Sequence, residues 1–445
     1  MRDIKTVLKA YLPMSIRPFL GRLRARQKSL TGTDIQRYID AALVERAHGA
    51  ARAGESDLAG IFNRDLAKRS GLPGTYIEEL LRTVEATRSL VSIEWNHAHS
   101  LTDETRRLDA TVLSRSAWLL LCHLCIRNGL FEVGEIVRRK AIESAYQEGF
   151  DDGGGIDSLV DTFKAGIDQA DFATAQAMLA QLRTRGVAGH HLRQLEHYYF
   201  LNQGDLRATQ KIAAKKIRKA DAGFSRYIDE KSLALVGPAP VEAGLASEID
   251  SFGAVVRFNY RGKRFLPPAA EFGTRLDISY FDGQTARWIN QTDDRSFLED
   301  LAYAVFKSTS YPFQKQLVHG GHARTLLSNR FLFAGSATGL QRALYDVLHF
   351  NPSRIKLFHL NFFLSDTSAY AAYRPEQDNA PSARWEAFAL QEIVGNLNFI
   401  RNLWKGGLVE VDKDCESVLR MTSDEYMMAM QRIYVAEPMK AAARQ

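Results

Sequence analysis

Two stretches of the 445-residue chain carry residue types and spacings suited to holding an anion. In the first, Leu233 to Asn259, an apolar run of Leu233, Leu235 and Val236 breaks at Gly237-Pro238-Ala239. A second run, Val255 and Val256, then leads into Arg257 and Asn259. The order reads as strand, glycine turn, linking segment, strand. A buried strand that ends in glycine leaves backbone N–H groups free at the carboxyl edge of a sheet, where α/β proteins usually hold a phosphorylated ligand. Asn259, closing the second strand, opens onto the same crevice. In the second stretch, Gly335-Ser336-Ala337-Thr338-Gly339-Leu340-Gln341, a small hydroxyl-bearing loop opens an apolar helix of Ala343, Leu344, Val347 and Leu348, and a strand follows from Ile355 to Phe358. Free N–H groups and a threonine hydroxyl at a helix start form a physical anion site.

Both stretches fall in a region, from Lys219 to about Asp412, where strands alternate with helices, so residues 223–435 read as one α/β domain with a Rossmann-like sheet. Between the two stretches, Phe272 to Tyr280 is a turn feeding a strand, and Asp293-Asp294 reads as a helix N-cap ahead of Phe297, Leu298 and Leu301. Upstream, residues 108–222 form a degenerate array of helical hairpins. Three junctions recur there, Asn128-Gly129-Leu130-Phe131, Gln169-Ala170-Asp171-Phe172 and Gln203-Gly204-Asp205-Leu206, their starts 41 and then 34 residues apart. That spacing resembles tetratricopeptide-type repeats, in which each hairpin buries its apolar face only against its neighbours. His197, Tyr198 and Tyr199 are expected to fill a hairpin interface. Residues 31–107 are helical in pattern, with no assignable function, and His97 and His99 read as a polar loop rather than a ligand pair.

Residues 1–30 carry Arg2, Lys5, Lys9, Arg17, Arg22, Arg24, Arg26 and Lys28 against one acid, Asp3, with Leu8, Tyr11, Leu12, Phe19 and Leu20 between them. Two readings fit: a segment lying on the anionic inner face of a membrane, or a basic tail packed on its own domain. Residues 436–445 are a tail. The hydrophobic fraction of 45% and charged fraction of 25% are ordinary for a soluble globular protein, and a net charge of +6 with no nucleic-acid motif gives no reason to expect a nucleic-acid partner. Three cysteines, Cys122, Cys125 and Cys415, make no disulfide framework. Cys122 and Cys125 lie in a Leu-rich helical run without metal-spaced histidines and read as buried small hydrophobes. No run reaches the roughly 18 apolar residues of a membrane span and no signal-peptide core is visible, so a cytoplasmic location is expected.

The first stretch resembles the large sialylmotif of the sialyltransferase family, apolar strand, Gly, small residues, Glu-Ile-Asp, then Val-x-Arg-x-Asn, through Gly237, Glu248, Ile249, Asp250, Val255, Arg257 and Asn259. The second is similar to the small sialylmotif, with Thr338 and Gly339 matching and Ser336 and Ala337 departing. The resemblance spans about residues 230–412. It implies a GT-A-like variant of the α/β fold, sialyltransferase type, without metal and without any cofactor beyond a CMP-activated sugar donor. The implied nucleotide-binding residues are Gly237, Pro238, Ala239, Asn259, Ser336, Thr338 and Gly339. Tyr370 and Tyr373 resemble the aromatic segment where a phenol donates to the leaving phosphate, with surface-loop packing as the alternative.

The family's last motif is a His, then a Glu, before an apolar helix recognisable as Asn398 to Trp404; here Gln391 and Asn396 stand at those positions. Neither is a base, and general base catalysis contributes about 10²–10⁴-fold. His359, His319, His322 and Asp366 are the other candidates, with His359 at the end of the strand after the small motif, where a core role is the alternative. The resemblance implies transfer of a 2-keto sugar acid, Kdo or sialic acid, from CMP to a cell-envelope glycan or lipid-linked acceptor. The loss of His and Glu leaves a second expectation, a catalytically degenerate nucleotide-sugar-binding scaffold whose helical repeats hold a protein partner.

Overall fold

The computed structural model describes residues 102, 105–127, 129–151, 154–213, 221–239, 244–292, 295–307, 323–327, 331–365 and 381–436. The basic segment 1–30, the helical pattern up to residue 101 with His97 and His99, Asp293-Asp294, His319, His322, Asp366, Tyr370, Tyr373 and the tail beyond Ala436 lie outside the described residues.

The helical layer runs α1 (Arg115–Arg127), α2 (Phe131–Phe150), α3 (Ile156–Asp168), α4 (Phe172–Thr184), α5 (Gly189–Gln203) and α6 (Leu206–Ala213). The three recurring junctions share one construction. Each turns on a left-handed residue, Gly129, Ala170 or Gly204, and the next residue's N–H donates to a carbonyl five positions back: Leu130 to Cys125, Asp171 to Gly166 and Asp205 to Phe200. This is the Schellman closure that satisfies helix-end carbonyls. Gly204 has a further reason to be glycine, because a Cβ there would lie 2.6 Å from Gly406 Cα on the far side of the interface.

After α7 (Ala222–Ile228) the chain builds β1 (Ser232–Val236), α8 (Ala246–Ser251), β2 (Ala254–Phe258), α9 (Ala269–Phe272), β3 (Ile278–Phe281), α10 (Gly283–Gln291), β4 (Tyr303–Phe306), β5 (Ala323–Thr325), α11 (Gly339–Val347), β6 (Arg354–Phe358), α12 (Pro381–Gln391), α13 (Ile393–Lys405), β7 (Glu410–Val411), α14 (Lys413–Arg420) and α15 (Ser423–Gln431). The seven strands form one all-parallel sheet in the order β5-β4-β3-β2-β1-β6-β7. β1 and β2 are nearly continuous apolar runs, as expected where both faces of a parallel sheet are covered. Leu233, Leu235, Val256, Ile278 and Leu357 face the large core, whereas Ala234, Val236, Val255 and Phe358 face α8 and α9 through Ile249, Phe252 and Phe272. Successive strands go to one side of β1 until β6 starts the other side, so the topological switch point lies between β1 and β6.

The large core does not stop at the boundary placed at residues 222–223. One cluster joins Trp118, Phe131, Phe163 and Tyr198 of the helical layer to the sheet, α11 and α13. Tyr198 stacks on Phe399 of α13 with centroids 5.8 Å apart, and Phe131 of α2 meets Phe388 of α12 at 6.2 Å. Tyr199 does fill a hairpin contact, edge-on to Phe172 at 6.2 Å, but His197 leaves the array to stack on His349 at 4.0 Å. Cys122, Cys125 and Cys415 are buried and free, and burial pushes the Cys125 thiol up to about 12. Among the described residues no helix is long and apolar enough to cross a membrane.

Candidate functional site

The switch point brings the end of β1 against the end of β6, and the contact there revises one expectation. The N–H groups of the glycine turn are not free: Gly237 donates to Phe358 O (2.8 Å) and Ala239 to His359 O (3.2 Å), while Pro238 has none to offer. These bonds carry the parallel ladder past the end of β1. Gly237 is needed for close approach, since a Cβ would fall 2.4 Å from both His359 O and the Leu360 side chain.

The two strands flanking β1 end alike. Each finishes on a phenylalanine, Phe258 or Phe358, and then turns through a left-handed residue, Asn259 (φ 56°) or His359 (φ 55°). Such backbone is uncommon for residues with side chains, though asparagine and histidine tolerate it better than most. Asn259 binds the start of α10 in both directions: its Oδ1 accepts from Asp282 N (3.0 Å) and its Nδ2 donates to Asp282 Oδ2 (3.3 Å). His359 is fully buried; its N–H donates to Asp412 Oδ2 (2.7 Å) and its ring lies 4.3 Å from that of Phe272. Nε2 sits 3.2 Å from Glu271 O, an acceptor only, so Nε2 carries the proton and Nδ1 presents a lone pair. Among the described residues that Nδ1 has no hydrogen-bond partner. Burial lowers the His359 pKa below its ordinary value, so the ring is neutral at pH 7.

The second stretch opens α11 over the same edge. A Cβ on Gly339 would lie 3.7 Å from the Phe258 ring, so the start of this helix meets the end of β2. Thr338 is the N-cap, its hydroxyl oxygen accepting from Gln341 N (3.3 Å). Among the described residues the N–H groups of Gly339 and Leu340 have no acceptor, which leaves two donors at the positive end of the helix dipole. Ser336 faces the other way: its N–H (3.0 Å) and hydroxyl (3.1 Å) both donate to Leu390 O.

Asn396 holds this loop in place, and among the described residues Gln391 reaches it only through its carbonyl bond to Asn396. Asn396 Oδ1 accepts from Thr338 N (2.7 Å), and its Nδ2 donates to Ser336 O (3.2 Å), Glu392 O (3.0 Å) and Gln391 O. Glu392 is left-handed (φ 47°) and packs under Gly335, where an added Cβ would come within 2.7 Å of Glu392 Cβ. Glu392 accepts from Arg138 Nε (2.6 Å) of α2, which also meets Asp168 at 2.5 Å and Glu135 at 3.8 Å. Burial pushes the Glu392 carboxyl up to about 8, Arg138 opposing and Asp168 and Glu135 assisting. The hydroxyl-bearing loop is thus tied through Glu392 to the helical layer. In the sequence this link shows as Glu135 and Arg138 among the apolar residues of α2 that are buried beside them.

Among the described residues no cluster of three or more His, Cys, Asp or Glu side chains could hold a metal ion. No family model matches the chain, and no curated protein and no solved structure matches it.

Proposed function

We propose that the chain is a glycosyltransferase that moves a 2-keto sugar acid, Kdo or sialic acid, from a CMP donor to a hydroxyl of a cell-envelope glycan or lipid-linked acceptor. One observation carries this reading. Asn259 of β2, His359 of β6 and the N-terminus of α11 all lie at the carboxyl edge of the sheet, beside the switch point, where doubly wound folds take nucleotides. In the reaction, the bond from the anomeric carbon to the CMP phosphate oxygen breaks and CMP leaves with both electrons. The acceptor hydroxyl then bonds to the anomeric carbon and gives its proton to His359 Nδ1. The neutral, unpartnered Nδ1 is suited to that role, which Gln391 and Asn396 cannot take. The Gly339 and Leu340 N–H groups stabilise the departing anion. The basic segment 1–30 suits work at the inner face of a membrane, where a lipid-linked acceptor would be met.

Two features favour a second reading, a nucleotide-sugar-binding scaffold of a polysaccharide assembly complex. His359 is completely enclosed, and Asn396 is committed to bracing the loop. Release of CMP from CMP-Kdo or CMP-sialic acid, with and without a lipid-linked acceptor, separates the two. Turnover that disappears in His359→Gln supports the transferase, whereas saturable donor binding with no turnover supports the scaffold.

A further inference from the structure

The first turn of α11 carries an arginine that the chain's own contacts do not explain. Among the described residues the other buried arginines have partners, although Arg138 Nη1 and Arg261 Nε make no hydrogen bond. Arg138 meets three carboxylates; Arg257 donates to Arg275 O, Phe272 O and Gly273 O; Arg324 pairs with Asp221 and Asp346. Arg401 donates to Leu419 O and Met421 O, and Arg261 lies over the Trp288 ring at 4.9 Å. Arg342 is half-buried, yet among the described residues its guanidinium makes no hydrogen bond and no ion pair. Burial pulls its pKa below the usual guanidinium value, with Asp282 opposing.

Its surroundings make an unpaired cation costly. The first turn is the positive end of the helix dipole, which disfavours a basic side chain, and a half-buried charge without a protein partner gives up part of its hydration. Asp346, one turn further along the same face, accepts from Tyr280 OH (2.6 Å), so position 342 faces the carboxyl end of β3. The Asp282 carboxylate at that end is taken up by Thr285 N (2.7 Å) and Asn259 Nδ2 (3.3 Å). A second donor lies in the same turn: Gln341 is 1% exposed and its Nε2 has no acceptor.

We propose that Arg342 is the anion-receiving side chain of this crevice and binds the phosphate monoester of a bound nucleotide. The N–H groups of Gly339 and Leu340 and the Gln341 amide add donors around it. The inference rests on the nucleotide-sugar reading for the identity of the ligand, but not for the need of an anion.

The test is calorimetric titration of the full chain and of Arg342→Gln and Arg342→Lys with CMP, cytidine and inorganic phosphate, beside a thermal melt of each. Charge-assisted bonds of this kind predict at least about a tenfold loss of CMP affinity in Arg342→Gln, with partial rescue by Arg342→Lys and no change for cytidine. The Arg342→Gln melting temperature should equal or exceed the wild-type value, because an unpaired cation is removed. CMP binding that is equal in wild type and Arg342→Gln overturns the inference and leaves the nucleotide reading standing. Phosphate binding that depends on Arg342, with no CMP binding, keeps the anion site and removes the nucleotide. A lower melting temperature with equal loss of cytidine assigns Arg342 to packing and overturns the inference, as does absence of binding by every ligand.

Discussion

At the scale of single residues, two buried histidines are set apart by what their nitrogens face. His359 keeps one proton on Nε2 and an open lone pair on Nδ1, as a general base needs. Replacing it with Gln should lower transfer turnover by about 10²- to 10⁴-fold while CMP affinity stays within twofold or so, measured by steady-state CMP release and calorimetry. Because burial lowers its pKa, the wild-type rate should be flat through neutral pH and fall only on the acid side, below the ordinary histidine value of about 6.5. His197 has both ring nitrogens buried without hydrogen-bond partners among the described residues, against His349 and Tyr345, and burial drives its pKa down to about 2. The unfolded chain takes a proton there below about pH 6.5 and the native chain does not, so the unfolded state binds more protons across that window. The His197 contribution to stability is therefore complete above about pH 6.5 and falls by about 1.4 kcal/mol per pH unit beneath it, so urea melts between pH 5 and 7 should lose that part of their pH dependence in His197→Phe.

At the scale of elements, the loop between Gly335 and Thr338 is positioned by a chain of contacts that begins in the helical layer. Arg138 of α2 holds Glu392, Glu392 underlies Gly335, and Asn396 brackets Thr338. Glu135 keeps Arg139 at 3.2 Å, but Arg138→Met leaves the buried Asp168 and Glu392 carboxyl groups without their cation and should destabilise the fold by about 3–5 kcal/mol, read from denaturant midpoints. These links explain how much the sequence could tell. Apolar runs at β1, β2 and β6 and the turn residues at Gly129, Ala170 and Gly204 carry local signals, so the parallel α/β sheet and the helical junctions were legible. The pairing of β1 with β6 is long-range, so nothing near Gly237 revealed that its N–H already had a partner in Phe358 O. Likewise Arg138 and Glu392 are 254 positions apart, and Arg342 reads as an ordinary helical surface residue until its half-burial without a hydrogen bond among the described residues is seen. Asn259 and Thr338 were legible because strand ends and helix caps mark themselves by residue type.

At the scale of the whole molecule, one hydrophobic core runs from the helical layer through the sheet to the last helices, with α12 and α15 packed back on α1 and α2. The α/β part alone would expose Phe399, Tyr345 and Phe388, which rest on the array or on residues that do. Calorimetric unfolding should therefore show a single transition with matching van't Hoff and calorimetric enthalpies; two separable transitions would show that the layers fold independently. This continuity gives the helical layer a direct purpose, fixing the loop that faces the crevice, beside any role in binding partners. The central claim is that the crevice at the ends of β1, β2 and β6 takes a CMP-linked donor. Titrating the full chain with CMP, without added metal and beside Asn259→Ala, tests it most directly. The account predicts saturable binding that the variant loses; no heat of binding at millimolar CMP would contradict it.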